Sequence, residues 1–304
     1  MLLIEKKGAV ARITLNRPEV RNAFDDALIS RLHESFVSLD EDDSVRAVVL
    51  AGNGPAFCAG ADLNWMKRMA RYGYEENLAD ARSLAEMLAA LDRLRKPTIA
   101  RVHGPAFAGG TGLVAACDIA VGAPEAKFCF SEAKLGLSPA TISPYVVRAI
   151  GERAARRYFL TAEVFDAQEA LRIGMLSMVT EKLDETIDAL LEHLLAGGAE
   201  AIARIKELVR AVTSAPLDEA MMADTARRIA EIRREITSKN NQLHGVFEGG
   251  AQDMSQHFHL TPVEIQRAGW EALKKELGVT RGTAIPSAVR ERGRRLYEAE
   301  EEIV

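Results

Sequence analysis

The chain has few of the features that mark secreted, membrane-spanning or metal-stabilised proteins. It has three cysteines among 304 residues, and these (Cys58, Cys117 and Cys129) lie among apolar or small neighbours without a C-x-x-C spacing. The pattern predicts buried thiols and disfavours a disulfide framework or a zinc site. No apolar run approaches the roughly 20 residues that cross a bilayer, and charges interrupt the N-terminal stretch where a signal peptide is apolar. We therefore expect a cytoplasmic protein with no membrane partner and no metal.

An excess of positive charge is also missing. The formal net charge is -5 at pH 7, which disfavours a general nucleic-acid-binding protein. Apolar residues, in contrast, make up 48% of the chain. That share is enough to bury a substantial core in one large domain or two modest ones.

The hydrophobic pattern predicts an α/β fold. Residues 2–15 read as two short strands around a glycine, and an amphipathic helix follows over 25–39. Residues 45–51 predict a strand that is continuously apolar after Arg46, of the kind that is buried on both faces. A helical region then spans 63–94, and 98–102 is the next buried strand. Strand, small-residue turn and helix occur twice in this order, which predicts a layered spiral.

The pattern also predicts three successive regions. The α/β spiral covers residues 1–182, and a helical region over 183–236 closes it. Residues 237–304 read as a polar, glycine-rich linker followed by an atypical helical tail. In that tail we predict helices over 261–277 and 289–302.

Two turns rich in small residues, each after a buried strand, form the candidate site. We call residues 56–63 the first donor turn and residues 104–110 the second donor turn. The second leads into an Ala-rich run that predicts a helix, whose first N–H groups are unpaired at the positive end of its dipole. Glu132 follows the next predicted strand in an apolar setting. Such donors stabilise charge on a carbonyl oxygen while a carboxyl moves a proton at the adjacent carbon, so the pattern is typical of enolate chemistry.

Each of these features also has a purely structural interpretation. A small-residue turn can serve packing alone, and Glu132 can be a capped or salt-bridged carboxylate. His103 has no acidic or cysteine partner nearby in sequence, so we expect it to be structural. His257 and His259 lack a third ligand, which predicts at most an adventitious metal contact.

Several motifs in register resemble the enoyl-CoA hydratase/isomerase superfamily, also called crotonases. The segments FCAGADL at 57–63 and 103–136 carry the resemblance, and NRP at 16–18, NAF at 22–24 and YFLT at 158–161 agree in order and spacing. The match extends roughly from residue 1 to 235. It implies an α/β fold, a crotonase-like spiral of ββα units followed by a helical layer, with the C-terminal tail as an extra element.

The resemblance implies an acyl-CoA thioester as the substrate of a lyase, with no separate cofactor because CoA is part of the substrate. Ala61 and Gly109 would donate their backbone N–H groups to the thioester oxygen, Glu132 would be the acid/base, and the Ala140 N–H would help to hold a water. The CoA would lie along Arg21, Asn22, Ala23, Ala59, Asp62 and Leu63. A homotrimer or hexamer is implied as well.

One position departs from the family pattern. Family hydratases commonly use two glutamates, and the first falls on Gly112. The residues at 61–66 and 139–147 resemble those of bacterial methylglutaconyl-CoA hydratases, a branch that often has glycine at the position of the first glutamate. Three hypotheses therefore remain: a hydratase of a 2-enoyl-CoA, such as 3-methylglutaconyl-CoA or a related branched compound, a double-bond isomerase that uses Glu132 alone, and a non-catalytic acyl-CoA-binding protein.

Overall fold

The computed structural model describes the backbone of residues 1–247 and the side chains of residues 1–235. The tail helices predicted over 261–277 and 289–302, and the predicted linker beyond residue 247, lie outside the described residues. Met1–Pro216 form one compact unit and Leu217 begins a second. Of the second unit we describe one helix. Among all the residues that the structure describes, no helix is long and apolar enough to cross a membrane.

Strands and helices alternate through the described residues. The strands are β1 (Leu2–Lys7), β2 (Val10–Leu15), β3 (Ala47–Gly52), β4 (Thr98–Val102), β5 (Ala106–Phe107), β6 (Ile119–Gly122), β7 (Lys127–Cys129), β8 (Phe165–Asp166) and β9 (Met178–Val179). The helices are α1 (Asp26–Glu41), α2 (Leu63–Met69), α3 (Tyr74–Arg93), α4 (Gly109–Ala116), α5 (Ser143–Thr161), α6 (Ala167–Ile173), α7 (Leu183–Ala196), α8 (Ala199–Ser214) and α9 (Glu219–Phe247). Short 3-10 helices occur at Pro18–Val20 and Ser131–Leu135.

Two sheets organise the first unit. The larger has the strand order β1-β2-β3-β4-β6-β9, and the smaller has the order β5-β7-β8. Only the β1–β2 pair of the larger sheet is antiparallel. An isolated bridge between Cys58 and Ala106 joins the chain after β3 to the smaller sheet. Each of β3, β4 and β6 is therefore followed by a segment that pairs in the second sheet, and the predicted α/β spiral of repeated units is confirmed.

β3 is buried on both faces, as its continuous apolar sequence predicts. Val48 and Leu50 belong to the large core cluster that includes Leu32 of α1, whereas Val49 belongs to a second cluster with Ile187 of α7. Successive side chains of a strand point to opposite faces, which explains this alternation. Burying one such side chain contributes about 1.5–3 kcal/mol. The strand that precedes the first donor turn is thus held from both sides.

Two helix boundaries near the site differ from the sequence-based expectation. The predicted helix over 63–94 is broken into α2 and α3 at Gly73, which is the N-cap of α3 and donates its N–H to the carboxylate of Glu76 at 2.8 Å. The helix that is predicted to follow the second donor turn begins at Gly109, within the turn itself.

At the other end of the described residues, α9 continues to Phe247, past Thr237, where the sequence predicts a linker. Extending an existing helix adds a hydrogen bond for each residue, so a helix can proceed into a sequence that would not start one.

Candidate active site

A parallel bridge between the first donor turn and the residue preceding the α1 cap fixes the turn. Phe24 donates its N–H to the carbonyl of Gly60 at 2.6 Å, and its carbonyl accepts from the N–H of Asp62 at 2.7 Å. In a parallel bridge with this pattern, the intervening residue, Ala61, directs its own N–H away from the partner segment. Gly60 has a φ of +89°, a conformation that glycine adopts without strain. The turn thus leaves the Ala61 N–H without a hydrogen-bond acceptor among residues 1–235.

The second donor turn places Gly109 at the first position of α4. Ala108 donates its N–H to the carbonyl of Cys129 at 2.8 Å, which extends the pairing of β5 with β7. Its φ of 46° and ψ of −119° are uncommon for a residue with a side chain, and such strain costs on the order of 1–3 kcal/mol. The N–H of Gly109 then belongs to the helical turn whose amides have no intrahelical acceptor, where the helix dipole favours negative charge.

The two donor turns are in direct contact. A Cβ atom placed on Gly60 would lie 2.9 Å from the Cβ of Ala108 and 3.7 Å from the backbone nitrogen of Gly109. Phe24 contacts both turns. Its backbone is hydrogen-bonded to Gly60 and Asp62, and its ring packs against Gly109, where an added Cβ would lie only 2.6 Å from the ring. The structure therefore brings together the segments of both predicted donors.

Glu132 lies in the 3-10 helix that follows β7, three residues after the partner of Ala108. Its Oε2 atom is buried and has no hydrogen-bond partner among the described side chains and backbone. Burial raises the pKa of Glu132, and a hydrogen bond from its own backbone N–H opposes this effect. Among the described residues Glu132 has no ion pair, so the salt-bridged form of the structural interpretation does not apply, and the hydrogen bond from its own backbone N–H is local. A desolvated carboxyl with a raised pKa is instead typical of residues that transfer protons.

Apolar side chains fill the space beside Gly112. A Cβ atom on Gly112 would overlap Cγ2 of Ile142, and it would lie 3.0 Å from the Cβ of Ile142 and 3.8 Å from Cδ1 of Leu88. Ile142 is buried. Gly112 is three residues after Gly109 on α4, so the two lie on the same side of the helix. The position at which the resemblance expects a first glutamate is therefore occupied by an aliphatic wall.

Asn22, one of the predicted CoA contacts, is committed to the protein. Its side chain is fully buried and donates to the carbonyls of Asn53, Ala56 and Phe57 at 2.8–3.1 Å. Its Oδ1 accepts the N–H of Arg17 at 2.8 Å. The side chain thus holds the chain after β3 in place, and the backbone of Asn22 is engaged as well, with its N–H donating to the carbonyl of Arg17 at 2.9 Å and its carbonyl accepting from Sγ of Cys58 at 3.1 Å.

Asp62 is likewise engaged, in a network that the sequence analysis missed. It caps α2 by accepting the N–H of Asn64 at 2.8 Å and pairs with Arg17 at 3.1 Å. Arg17 also pairs with Asp25 at 2.9 Å, the residue that caps α1, and donates to the carbonyl of Ala23 at 2.8 Å. A single arginine therefore fixes the starts of two helices on either side of the first donor turn. In the sequence, the NRP motif at 16–18 is the signal that could have indicated this role of Arg17.

The other predicted contacts differ in accessibility. Arg21 is exposed and accepts the N–H of Ala59 at 3.0 Å through its carbonyl, while Ala23 is buried and Leu63 is 73% exposed. Ala140 donates its N–H to the carbonyl of Ser138 at 2.8 Å. This γ-turn bond takes the donor that the resemblance assigns to a water, which is a correction to the sequence-based expectation.

The environment of His103 is that of a structural residue. Nε2 of His103 lies 2.9 Å from the carbonyl oxygen of Gly54, in agreement with a structural role. Among residues 1–235 no group of three metal-ligating side chains occurs. His257 and His259 lie outside the described residues.

The chain is similar to known proteins in sequence and in fold. Residues 5–241 match the family model described as Enoyl-CoA hydratase/isomerase. The crystal structure of an enoyl-CoA hydratase from Shewanella pealeana is 41% identical, with a TM-score of 0.77, covering 82% of this chain and 93% of that one. An enoyl-CoA hydratase structure from Mycobacterium smegmatis is 36% identical, with a TM-score of 0.72 and coverages of 75% and 89%. Enoyl-CoA hydratase AKT6-1 of Alternaria alternata is 35% identical over 232 residues, which are 75% of this chain and 74% of that protein.

Proposed function

The chain belongs to the enoyl-CoA hydratase/isomerase family, and from this premise we propose that it adds water to a 2-enoyl-CoA with Glu132 as its acid/base. The observation that carries the proposal is the contact between the two donor turns, together with a buried, unpaired carboxylate oxygen close in sequence to the partner of Ala108. No separate cofactor is required, because CoA is part of the substrate.

In the proposed mechanism the N–H groups of Ala61 and Gly109 hold the thioester oxygen. The Glu132 carboxylate accepts a proton from a water whose oxygen bonds to the β-carbon, and the π electrons move to the thioester oxygen as an enolate. The protonated Glu132 then donates to the α-carbon, which restores the carbonyl and the carboxylate. Each donor contributes roughly 2.7–4 kcal/mol of transition-state stabilisation in comparable sites.

A single carboxyl performs both proton transfers in this proposal. The usual place of a second glutamate is Gly112, and Ile142 fills the adjacent space, so the α4 side of the acyl group meets an aliphatic wall. Addition from the side of Glu132 alone follows. An isomerase with one glutamate uses the same geometry, and it differs in that its product gains no water.

The test is the variant Glu132→Gln, with Glu125→Gln as a matched control at an exposed acid before β7. We expect Glu132→Gln to lower kcat by at least the 10²–10⁴-fold typical of general acid–base catalysis, with acyl-CoA binding by calorimetry unchanged, and the control to be fully active. Unchanged turnover in Glu132→Gln would refute the assignment. A product without the mass of water identifies the isomerase, and binding without turnover in the wild type identifies a non-catalytic protein.

For the substrate we propose 3-methylglutaconyl-CoA or a related branched enoyl-CoA. The support is the amino-acid sequence of the two segments at 61–66 and 139–147. A panel of short straight, branched and dicarboxylic enoyl-CoAs, read by mass spectrometry, tests this. The highest kcat/KM on a short unbranched substrate would contradict it.

We also propose a homotrimer or hexamer in the cytoplasm. Helix α8 has no buried residue, and Ile205, Val209 and Val212 on it are exposed. Contiguous exposed apolar side chains of this kind are typical of surfaces covered by a partner. Light scattering on the purified protein tests the proposal, and a monomer at micromolar concentration would contradict it.

A further inference from the structure

The short helix α2 begins immediately after a proposed oxyanion donor. Ala61 is followed by Asp62, the N-cap, and α2 has only seven residues. A helix of this length is not stable by itself and depends on tertiary contacts. Its one fully buried side chain is Trp65, which is 3% exposed. The bridge to Phe24 holds the Ala61 amide from one side, and its position thus depends in addition on what holds Trp65.

Trp65 is held by a carboxylate from the neighbouring helix. Its indole Nε1 donates to Oδ1 of Asp80 on α3 at 3.2 Å. Hydrogen bonds to an ionised acceptor are roughly twice as strong as those between neutral groups. The indole ring otherwise belongs to the large core cluster, so this bond fixes the orientation of the ring within an apolar setting.

α3 is itself firmly placed, which makes it a suitable support. It carries the capping bond between Gly73 and Glu76, and Met87, Leu88 and Leu91 are buried in the core. Leu88 also contributes to the wall beside Gly112. The same helix therefore contacts α2 through Asp80 and borders α4, which carries the second donor, through Leu88.

The carboxylate of Asp80 is costly in this position. It is half-buried, and burial raises its pKa, while the indole bond lowers it and the charge of Asp26 raises it further. Arg68, which also lowers the pKa, is paired with Asp26 at 2.7 Å. A partly desolvated carboxylate beside a second acid is unfavourable unless a hydrogen bond compensates for the lost water, and here the indole of Trp65 donates that bond.

We propose that Asp80 is a positioning residue for the oxyanion site: its carboxylate orients Trp65, and Trp65 fixes the start of α2 and with it the N–H of Ala61. The proposal rests on the proposed function, because it assigns Ala61 to the thioester oxygen. Asp80 acts through Trp65 and does not touch the substrate.

The test compares Asp80→Leu, Asp80→Asn and Trp65→Phe, with Glu75→Gln as the control at an exposed acid of α3. The readouts are kcat, KM, the Kd of CoA, and the ultraviolet absorption of the bound enolate of acetoacetyl-CoA. We expect Asp80→Leu and Trp65→Phe to lower kcat about tenfold, a part of the 10²–10³-fold that loss of a whole oxyanion donor costs. KM and the Kd of CoA should stay unchanged, and less enolate should form at a given pH. Asp80→Asn, which keeps an acceptor oxygen, should be closer to the wild type.

Two further results decide the proposal. The double variant Asp80→Leu/Trp65→Phe should be no slower than either single variant, because both remove one bond. Wild-type kcat and enolate absorption in Asp80→Leu would overturn the proposal, as would a proportional loss of kcat and CoA binding, which indicates general misfolding. If instead Glu132→Gln is as active as the wild type, the proposed function fails, whatever the Asp80 variants show.

Discussion

Replacing Gly112 with alanine adds one methyl group at a place where the structure has no room for it. Inside a helix such as α4, alanine is favoured over glycine by about 0.5–1 kcal/mol. The new Cβ would overlap Cγ2 of Ile142 and lie 3.0 Å from its Cβ, whereas carbon atoms in contact are ~3.5–4.0 Å apart. The neighbour cannot easily move, because the carbonyl of Ile142 accepts the N–H of Val146 at 3.1 Å at the start of α5.

The size of the effect follows from these two contributions. Overpacking a core costs about 1–3 kcal/mol, which outweighs or equals the helix preference, so we expect Gly112→Ala to lower the free energy of unfolding by up to ~2.5 kcal/mol. Ile142→Ala alone leaves a cavity and costs about 2–5 kcal/mol. In the double variant the overlap is gone, and the methyl group added at position 112 fills part of the cavity. The loss in free energy of unfolding of the double variant should therefore be smaller than the sum of the two single losses by about 1–3 kcal/mol.

Urea unfolding at one fixed protein concentration measures the four members of this cycle. The control cycle pairs Ile142→Ala with Gly122→Ala, whose added Cβ would overlap Leu176, the residue to which its three nearest atoms all belong. That cycle should be additive within about 0.3–0.5 kcal/mol. Additivity of Gly112→Ala with Ile142→Ala, or a Gly112→Ala variant more stable than the wild type, would show that the aliphatic wall is not packed as described.

Three further predictions concern the donor turns and Glu132. Burial raises the pKa of Glu132 above its ordinary 4.5, and the carboxylate is the form that accepts a proton from water. We therefore expect kcat to fall as the pH is lowered through a pKa above that value. A pH–kcat profile with its acidic limb below 4.5 would contradict this. The added Cβ of Gly109→Ala would lie 2.6 Å from the Phe24 ring and displace the turn. We expect kcat to fall by up to about 10²–10³-fold, while the Kd of CoA measured by calorimetry stays unchanged. Full activity would argue against the Gly109 donor. Asn22→Ala should lower the free energy of unfolding in urea by about 1–3 kcal/mol because buried carbonyls lose their donor, whereas the exposed control Asn53→Ala should change it by less than about 0.5 kcal/mol; equal effects would refute the role of Asn22.

The parts of the fold that local patterns determine are predicted well. The strand predicted over 45–51 is β3, which begins two residues later and is buried on both faces, and the amphipathic helix predicted over 25–39 is α1, with Leu28, Leu32 and Phe36 on its buried face. In these cases the period of the side chains along one element decides which face is buried. The break at Gly73 was not predicted because residues 63–94 contain no proline and an isolated glycine is tolerated within a helical pattern. The capping bond from Gly73 to Glu76 that begins the new helix depends on the extended backbone of Gly73.

The candidate site divides in the same way. Small residues in both donor turns and an acid in an apolar setting are visible in the sequence. The commitment of the Ala140 N–H to Ser138, the indole bond to Asp80 and the pairing of Arg17 with two helix caps are not. The last two depend on contacts between residues 8 to 45 positions apart, and no periodicity relates such positions.

By itself, the sequence determined which residues are available for chemistry: two glycine-containing turns after buried strands, one glutamate, and a glycine where a second glutamate is expected. It did so because backbone freedom, hydrophobic period and side-chain type are properties of short segments. Only the tertiary structure decided that the two turns touch, that Ile142 closes the space beside Gly112 and that Oε2 of Glu132 is buried without a partner among the described residues. These depend on how distant segments pack, since the space and the dielectric around a group are set by neighbours that the chain brings there only on folding.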